Sequence, residues 1–289
     1  MSLIESSLPF IACPNDGSSL KISEKTLICS NCNSSFEILD DNIIELLPSK
    51  SFDIEIKNKT AKVYEEYYSD LKNIGHSRDP NKRLWHAPTG FVNSHRTEVL
   101  HHLNGEIISE IGAGIGLYSI PMAKHAKLVF HCDLDKEAIF TAQKEAKNQN
   151  LSNILFIISN YFSLPFKSDS IHTISCLDVL LRGYEHDKKV LEQISSKVQS
   201  SGMVLIDFHS KERSKINKNL DLDGCYSQNQ ISSFLHEFGL VTEQIIGVGF
   251  APTYENLPSS IYKIIDKICQ FLFPPARWIV KAQKNKKLH

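Results

Sequence analysis

The sequence predicts an α/β protein, a mostly parallel sheet with helices on its faces, preceded by a small β module. Three observations predict it. An apolar strand, Glu106-Ile-Ile-Ser-Glu-Ile, runs directly into a glycine-rich turn, Gly112-Ala-Gly114-Ile-Gly116. A second apolar strand, Leu128-Val-Phe-His-Cys132, ends on an acid, Asp133. Ahead of both, Cys13, Asp16, Cys29 and Cys32 make two pairs of metal-binding side chains spaced i and i+3.

A chain of 289 residues suits one large core plus a small appendage. Lysine and arginine number 32 against 33 aspartates and glutamates, so no global field draws the chain toward nucleic acid or an anionic membrane. No apolar run is long enough to span a bilayer and the first residues lack a secretory pattern, so a cytoplasmic protein with no membrane partner is expected. The seven cysteines are odd in number, and Cys132, Cys176, Cys225 and Cys269 stand singly in apolar or mixed segments. That reads as reduced thiols, not a disulfide framework.

The first element is the module at residues 1–48. Two short turns that each offer ligands at i and i+3 can converge on one tetrahedral ion, which replaces a core so short a segment cannot build. From about residue 9 to residue 48 the segment resembles the zinc ribbons that precede some methyltransferases, including ribosomal RNA guanine methyltransferases. Similar ribbons form activator subunits of tRNA and protein methyltransferases. The resemblance implies a structural zinc on Cys13, Asp16, Cys29 and Cys32, with Asp16 standing where a cysteine is usual. The alternative is a ribbon that has lost its metal and persists as a packed β module.

Residues 49–100 read as a linker running into helices, and 101–289 as the main domain. In that domain the glycines let the backbone turn tightly and approach a ligand with no Cβ in the way. Parallel strand ends at a switch point are where ligands bind in open α/β sheets, so Asp133 faces the same crevice. The nicotinamide fingerprint Gly-x-Gly-x-x-Gly fails here: counted from Gly112 and Gly114 its third glycine would fall at Leu117, whereas the glycine stands at 116.

Glu110, the three glycines and Asp133 together resemble class I S-adenosylmethionine-dependent methyltransferases, over roughly residues 50–289. Further segments follow in that family's order: Ile154 to Asn160 and Tyr161, Ile171 to Leu177 and Asp178, the Gly202 turn with the strand reaching His209, and the turn at Gly239. The resemblance implies a Rossmann-like fold with a mostly parallel seven-stranded sheet. It implies that Gly112, Gly114 and Gly116 contact the methionine and ribose parts of S-adenosylmethionine, with Glu110 orienting the loop and Asp133 accepting the ribose hydroxyls. Leu134, Asn160, Tyr161 and Leu177 would flank the adenine or the methionine arm, Asn160 replacing the usual aspartate. A lid helix carrying Ala61, Tyr64, Tyr67 and Tyr68 is implied over the cofactor, Tyr64 touching it; an aromatic stripe packed on the core fits the same spacing.

An acceptor that must lose a proton also requires a base, and histidine suits neutral pH. His186 is the first candidate, with Tyr184 and His209 beside it; His186 equally fits a helix cap. Arg182 could pair with an anionic acceptor. An insert at about 250–275, amphipathic over Ile261 to Leu272, would cover a pocket or pair subunits in a homodimer. The expected acceptor is a small molecule. RNA is the second reading, disfavoured by the balanced charge, and a non-catalytic scaffold is the third.

Overall fold

The computed structural model describes residues 2–49, 90–103, 105–180, 183–216, 224–251 and 259–285. Ala61, Tyr64, Tyr67, Tyr68 and Arg182 lie outside them. A capped helix α1 (Leu3–Ser7) leads into β1 (Leu20–Ser23), β2 (Thr26–Cys29), β3 (Ser35–Asp40) and β4 (Ile43–Leu46). After α2 (Gly90–His102) the order is β5 (Ile107–Ile111), α3 (Ser119–Met122), β6 (Leu128–Asp133), α4 (Lys136–Asn148), β7 (Ile154–Ser159) and β8 (Ile171–Cys176). Then come α5 (Tyr184–Lys197), β9 (Val198–Ser210), α6 (Lys211–Ser214), β10 (Cys225–Tyr226), α7 (Gln228–Glu237), β11 (Leu240–Val248), α8 (Ser259–Cys269) and β12 (Arg277–Lys284).

Among the described residues the strands form one mixed twelve-stranded sheet, ordered β1-β2-β3-β4-β7-β6-β5-β8-β9-β12-β11 with β10 beside β9. This corrects the expected seven-stranded, mostly parallel sheet. The run β7-β6-β5-β8-β9 is parallel, and β12 and β11 complete seven strands by antiparallel pairing. The other end does not stop at β7, because β4 pairs with it in parallel and β3, β2 and β1 continue outward. An open β7 edge would expose unpaired backbone groups. Ile43, Ile44 and Leu46 are fully buried in closing it.

The N-terminal module is fastened beyond that ladder. Gln143 of α4 donates to Asp40 at 2.7 Å and to Asn42 at 2.6 Å, and Lys136 pairs with Glu45. On the other face Phe10 packs on Phe130, and the Ala12 N–H donates to the Pro165 carbonyl at 2.9 Å.

α4 forms because Asp135 caps it, accepting from the N–H groups of Glu137 and Ala138, while Ala138, Ile139, Ala142 and Ala146 bury one face at helical spacing. β6 and β7 are buried along their whole length, as parallel strands covered on both faces must be. The chain leaves β5 for β6 and β7 on one side and returns to β8 on the other. The crevice between β5 and β8 is therefore the switch point.

Candidate functional site

The glycine turn leaves β5 at Ile111 with positive φ at all three glycines: 69° at Gly112, 53° at Gly114 and 86° at Gly116. Their surroundings differ. A Cβ on Gly112 would meet Val179 Cγ2 at 2.4 Å, and one on Gly116 would meet Ile120 Cδ1 at 2.8 Å, so both are packing glycines. A Cβ on Gly114 would meet nothing within 4 Å. The cleared space at Gly114 is where a ligand can approach the backbone.

Two carboxylates and a histidine hold this turn. Glu110 is buried, and its Oε2 accepts from the Ser119 N–H at 2.7 Å, fixing the start of α3. Burial pushes the Glu110 carboxyl up to about 8. Asp133 Oδ2 accepts from the Gly114 N–H at 2.7 Å and Oδ1 from the Asp135 N–H at 2.8 Å. Burial lifts its carboxyl to about 6, against the pull of those N–H groups. His131 lies wholly inside, its Nδ1 2.7 Å from Ser119 Oγ and its Nε2 3.0 Å from the Gly114 carbonyl. Burial drives it down to about 3, so the ring is neutral. The carbonyl can only accept, hence Nε2 carries the proton and Nδ1 accepts from Ser119.

Beyond β7, Asn160 is buried and accepts the Phe162 N–H at 2.9 Å. Tyr161 packs edge-on against His186, whose Nε2 lies 3.3 Å from the Tyr161 hydroxyl. His186 Nδ1 is 2.9 Å from the carboxylate of buried Asp187, which also accepts from the Tyr226 hydroxyl at 2.8 Å. Leu134 is half-buried after β6, and Leu177 is buried after β8 against Val99, Leu205 and Ile279. Tyr184 points elsewhere, donating to Glu237 at 2.8 Å with its ring over Phe234.

A second polar cluster closes the crevice at the ends of β8 and β9. Asp207 Oδ1 accepts from the Asp178 N–H at 2.7 Å, and Oδ2 takes His95 Nε2 at 3.1 Å and Arg277 Nη1 at 3.4 Å. Arg277 Nη2 also pairs with Asp178 at 2.5 Å. Burial opposes charge on Asp207, yet Arg277, His95 and the Asp178 N–H outweigh it and hold the carboxyl down at about 2. On the far side His95 Nδ1 meets the Tyr118 hydroxyl at 2.7 Å, directly after the glycine turn. His209 lies opposite Arg277 in the ladder, and burial, then Arg277, pushes it down to about 4.

A model described as a methyltransferase domain matches residues 108–202, from β5 into β9. Over those residues the chain matches a methyltransferase domain, and the fold around them is that of solved S-adenosylmethionine-dependent methyltransferases. The chain is 30% identical over 140 residues to the chloroplastic magnesium protoporphyrin IX methyltransferase of Arabidopsis thaliana, covering 44% of each chain. It is 31% identical over 87 residues to the tRNA (guanine(37)-N(1))-methyltransferase Trm5b of Pyrococcus abyssi, covering 26% of each. The chain thus spans less than half the length of these relatives. Among solved structures the methyltransferase fold matches the magnesium protoporphyrin IX methyltransferase of Synechocystis PCC 6803 with bound S-adenosylhomocysteine, at 17% identity and TM-score 0.50, over 68% of this chain and 85% of that one. The 4+2 cyclase SpnF matches at 12% identity and TM-score 0.52, over 68% and 81%.

In the methyltransferase domain the residues that sequence reasoning passed over are His131, His95, Tyr118, Asp207 and Arg277. Two left a signal. His131 and Asp207 interrupt apolar strands, Leu128–Asp133 and Met203–Phe208, where a buried polar side chain demands a partner. His95, Tyr118 and Arg277 come from elements far apart in sequence and carry no local mark.

In the N-terminal module, one atom each from Cys13, Asp16, Cys29 and Cys32 able to bind a metal ion lies within 4.8 Å of the others. Cys13 Sγ stands 3.6 Å from Cys32 Sγ, and Cys29 Sγ 3.5 Å from Asp16 Oδ1. A tetrahedron with zinc–sulfur bonds of about 2.3 Å has edges near these lengths.

Proposed function

We propose that this chain transfers a methyl group from S-adenosylmethionine to a small-molecule acceptor. The observation that carries the reading is the pairing of Gly114, with open space above it, and buried Asp133, whose carboxylate orders the turn. Each Asp133 oxygen keeps a further lone pair for a vicinal diol, and charge-assisted bonds of that kind are strong. Gly112, Gly116 and Glu110 shape the turn. Leu134, Asn160, Tyr161 and Leu177 wall the pocket, with His186 and Asp187 holding Tyr161, and Tyr64 is assigned to the cofactor from the sequence pattern. When bound, the cofactor supplies a methyl group on a sulfonium, whose thioether leaves without an acid.

The chain's own residues then position the acceptor and remove its proton. Asp207 accepts only, so His95 carries its proton on Nε2 and takes the Tyr118 hydroxyl hydrogen at Nδ1. Tyr118 can pass an acceptor's proton to His95, with Asp207 stabilising the imidazolium. On this reading the base is His95, in preference to His186, Tyr184 and His209. A small acceptor is favoured because 32 basic and 33 acidic residues give RNA no general field, and the magnesium protoporphyrin relative aligns over more of the chain than the tRNA relative does. Calorimetry with S-adenosylmethionine is expected to show binding that Asp133→Ala weakens by about 100-fold or more, from two lost charge-assisted bonds. Wild-type protein that binds none overturns the reading and leaves a scaffold.

We also infer a structural zinc on Cys13, Asp16, Cys29 and Cys32. Purified protein should carry about one equivalent, and Cys29→Ser should lose it together with thermal stability. Less than about half an equivalent points to the metal-free ribbon.

A further inference from the structure

The insert between β11 and β12 is built inside out. α8 turns Tyr262 into complete burial, and Asp266 Oδ1 accepts the Ala251 N–H at 2.7 Å. Away from that anchored side, Ile261, Ile264 and Ile268 are 46%, 64% and 60% exposed, and the turn that follows adds Phe271 at 81% and Leu272 at 70%. Positions three, four and seven apart share one helix face, so these side chains form a single stripe. An ordinary surface helix buries such a stripe; among the described residues none covers this one.

The stripe is held in place. Arg213 of α6 donates to the Phe250 carbonyl at 3.1 Å, the Pro274 carbonyl at 3.3 Å and the Ala251 carbonyl at 3.4 Å. Both feet of the insert are thereby pinned to one guanidinium. β12 begins at Arg277, so the stripe flanks the carboxyl edge of the sheet where Asp178 and Asp207 sit.

Charge selects the occupant. The exposed charged side chains of α8 are Lys263 and Lys267, which share one flank of the stripe, while its acid, Asp266, is half-buried and engaged. A second copy packed antiparallel on this face would set those lysines against each other with no α8 carboxylate free between them. An apolar stripe edged by lysines instead matches the headgroup boundary of an anionic bilayer. We propose that α8 and the turn through Phe273 dock this protein on an anionic lipid surface. Among the described residues no helix is long and apolar enough to cross a membrane, so the contact lies on the bilayer. Balanced total charge, read from the sequence as arguing against a membrane partner, does not register a local stripe of this kind.

Docking does not depend on methyl transfer and is tested apart from it. The full chain is sedimented with large vesicles of phosphatidylcholine alone or mixed with phosphatidylglycerol. The mixed vesicles should retain it, and the double variant Ile264→Ser, Ile268→Ser should bind at least about tenfold more weakly. Lys263→Gln and Lys267→Gln should each weaken binding about fivefold. All four positions are exposed, and unchanged circular dichroism and S-adenosylmethionine binding would show the variants folded. Wild-type protein left in the supernatant overturns the proposal, as does retention that the serine variant keeps. A dimer that ignores vesicles and dissolves on Ile264→Ser would give the face to a second copy and overturns it equally.

Discussion

Replacing Asp207 by alanine is expected to lower the unfolding free energy by about 3–5 kcal/mol, read as a lower urea midpoint at unchanged slope. Asp207 is 1% exposed, and its two oxygens serve three donors: the Asp178 N–H, His95 and Arg277. Alanine strands all three. The guanidinium, itself largely buried, keeps Asp178 as a counterion, but Asp178 is mostly exposed to water and repays less of the burial cost. Asp207→Asn should cost less, because its amide oxygen still accepts the Asp178 N–H and the side chain fills the same volume. If alanine costs under about 1 kcal/mol, the cluster is not closing the crevice and Asp178 is held by something else.

The part of this arrangement legible in the sequence is the part made by neighbours in the chain. Glu110 to Gly116 form one turn, and Asp133 ends the adjacent strand, so spacing alone brings them to a common edge. Cys13, Asp16, Cys29 and Cys32 are legible for the same reason, as two turns with a fixed ligand interval. What spacing does not carry is pairing at a distance. Asp207 meets His95 across 112 positions and Arg277 across 70, and nothing near any of the three marks the others. The same limit explains the sheet. Ile43-Ile44-Glu45-Leu46 is apolar enough to be a doubly covered parallel strand, yet its partner β7 is more than a hundred residues away, and the cysteines on its other side draw the eye to a self-contained ribbon. The outward stripe of α8 shows a further reason: periodicity finds an amphipathic helix, but only the fold decides which side faces in.

Glu110 should give the protein a stability maximum near pH 6.5 and a decline of about 1.4 kcal/mol per pH unit from there to about pH 8. The sign follows from proton counts. Glu110 is raised from 4.5 to about 8 and Asp133 from 3.8 to about 6, so the folded state holds protons the unfolded chain has released, and stability falls as pH rises through each interval. His131 and His209 are lowered from 6.5 to about 3 and about 4; there the unfolded chain holds the extra protons, and stability rises with pH up to 6.5. Between pH 4.5 and 6 the two carboxyls and two imidazoles oppose one another and the profile is nearly flat. From 6 to 6.5 the imidazoles outnumber Glu110 and stability climbs; above 6.5, of these four groups, Glu110 is the one that still titrates. Glu110→Gln keeps an oxygen for the Ser119 N–H and removes the titration, so urea unfolding across pH 6.5–8 should lose its slope. A variant that declines as steeply as wild type would mean that Glu110 is ionised throughout. At neutral pH a protonated Glu110, bonded to the Ser119 N–H, leaves Asp133, bonded to the Gly114 and Asp135 N–H groups, as the principal negative charge on the turn, the charge on which the proposed diol contact depends.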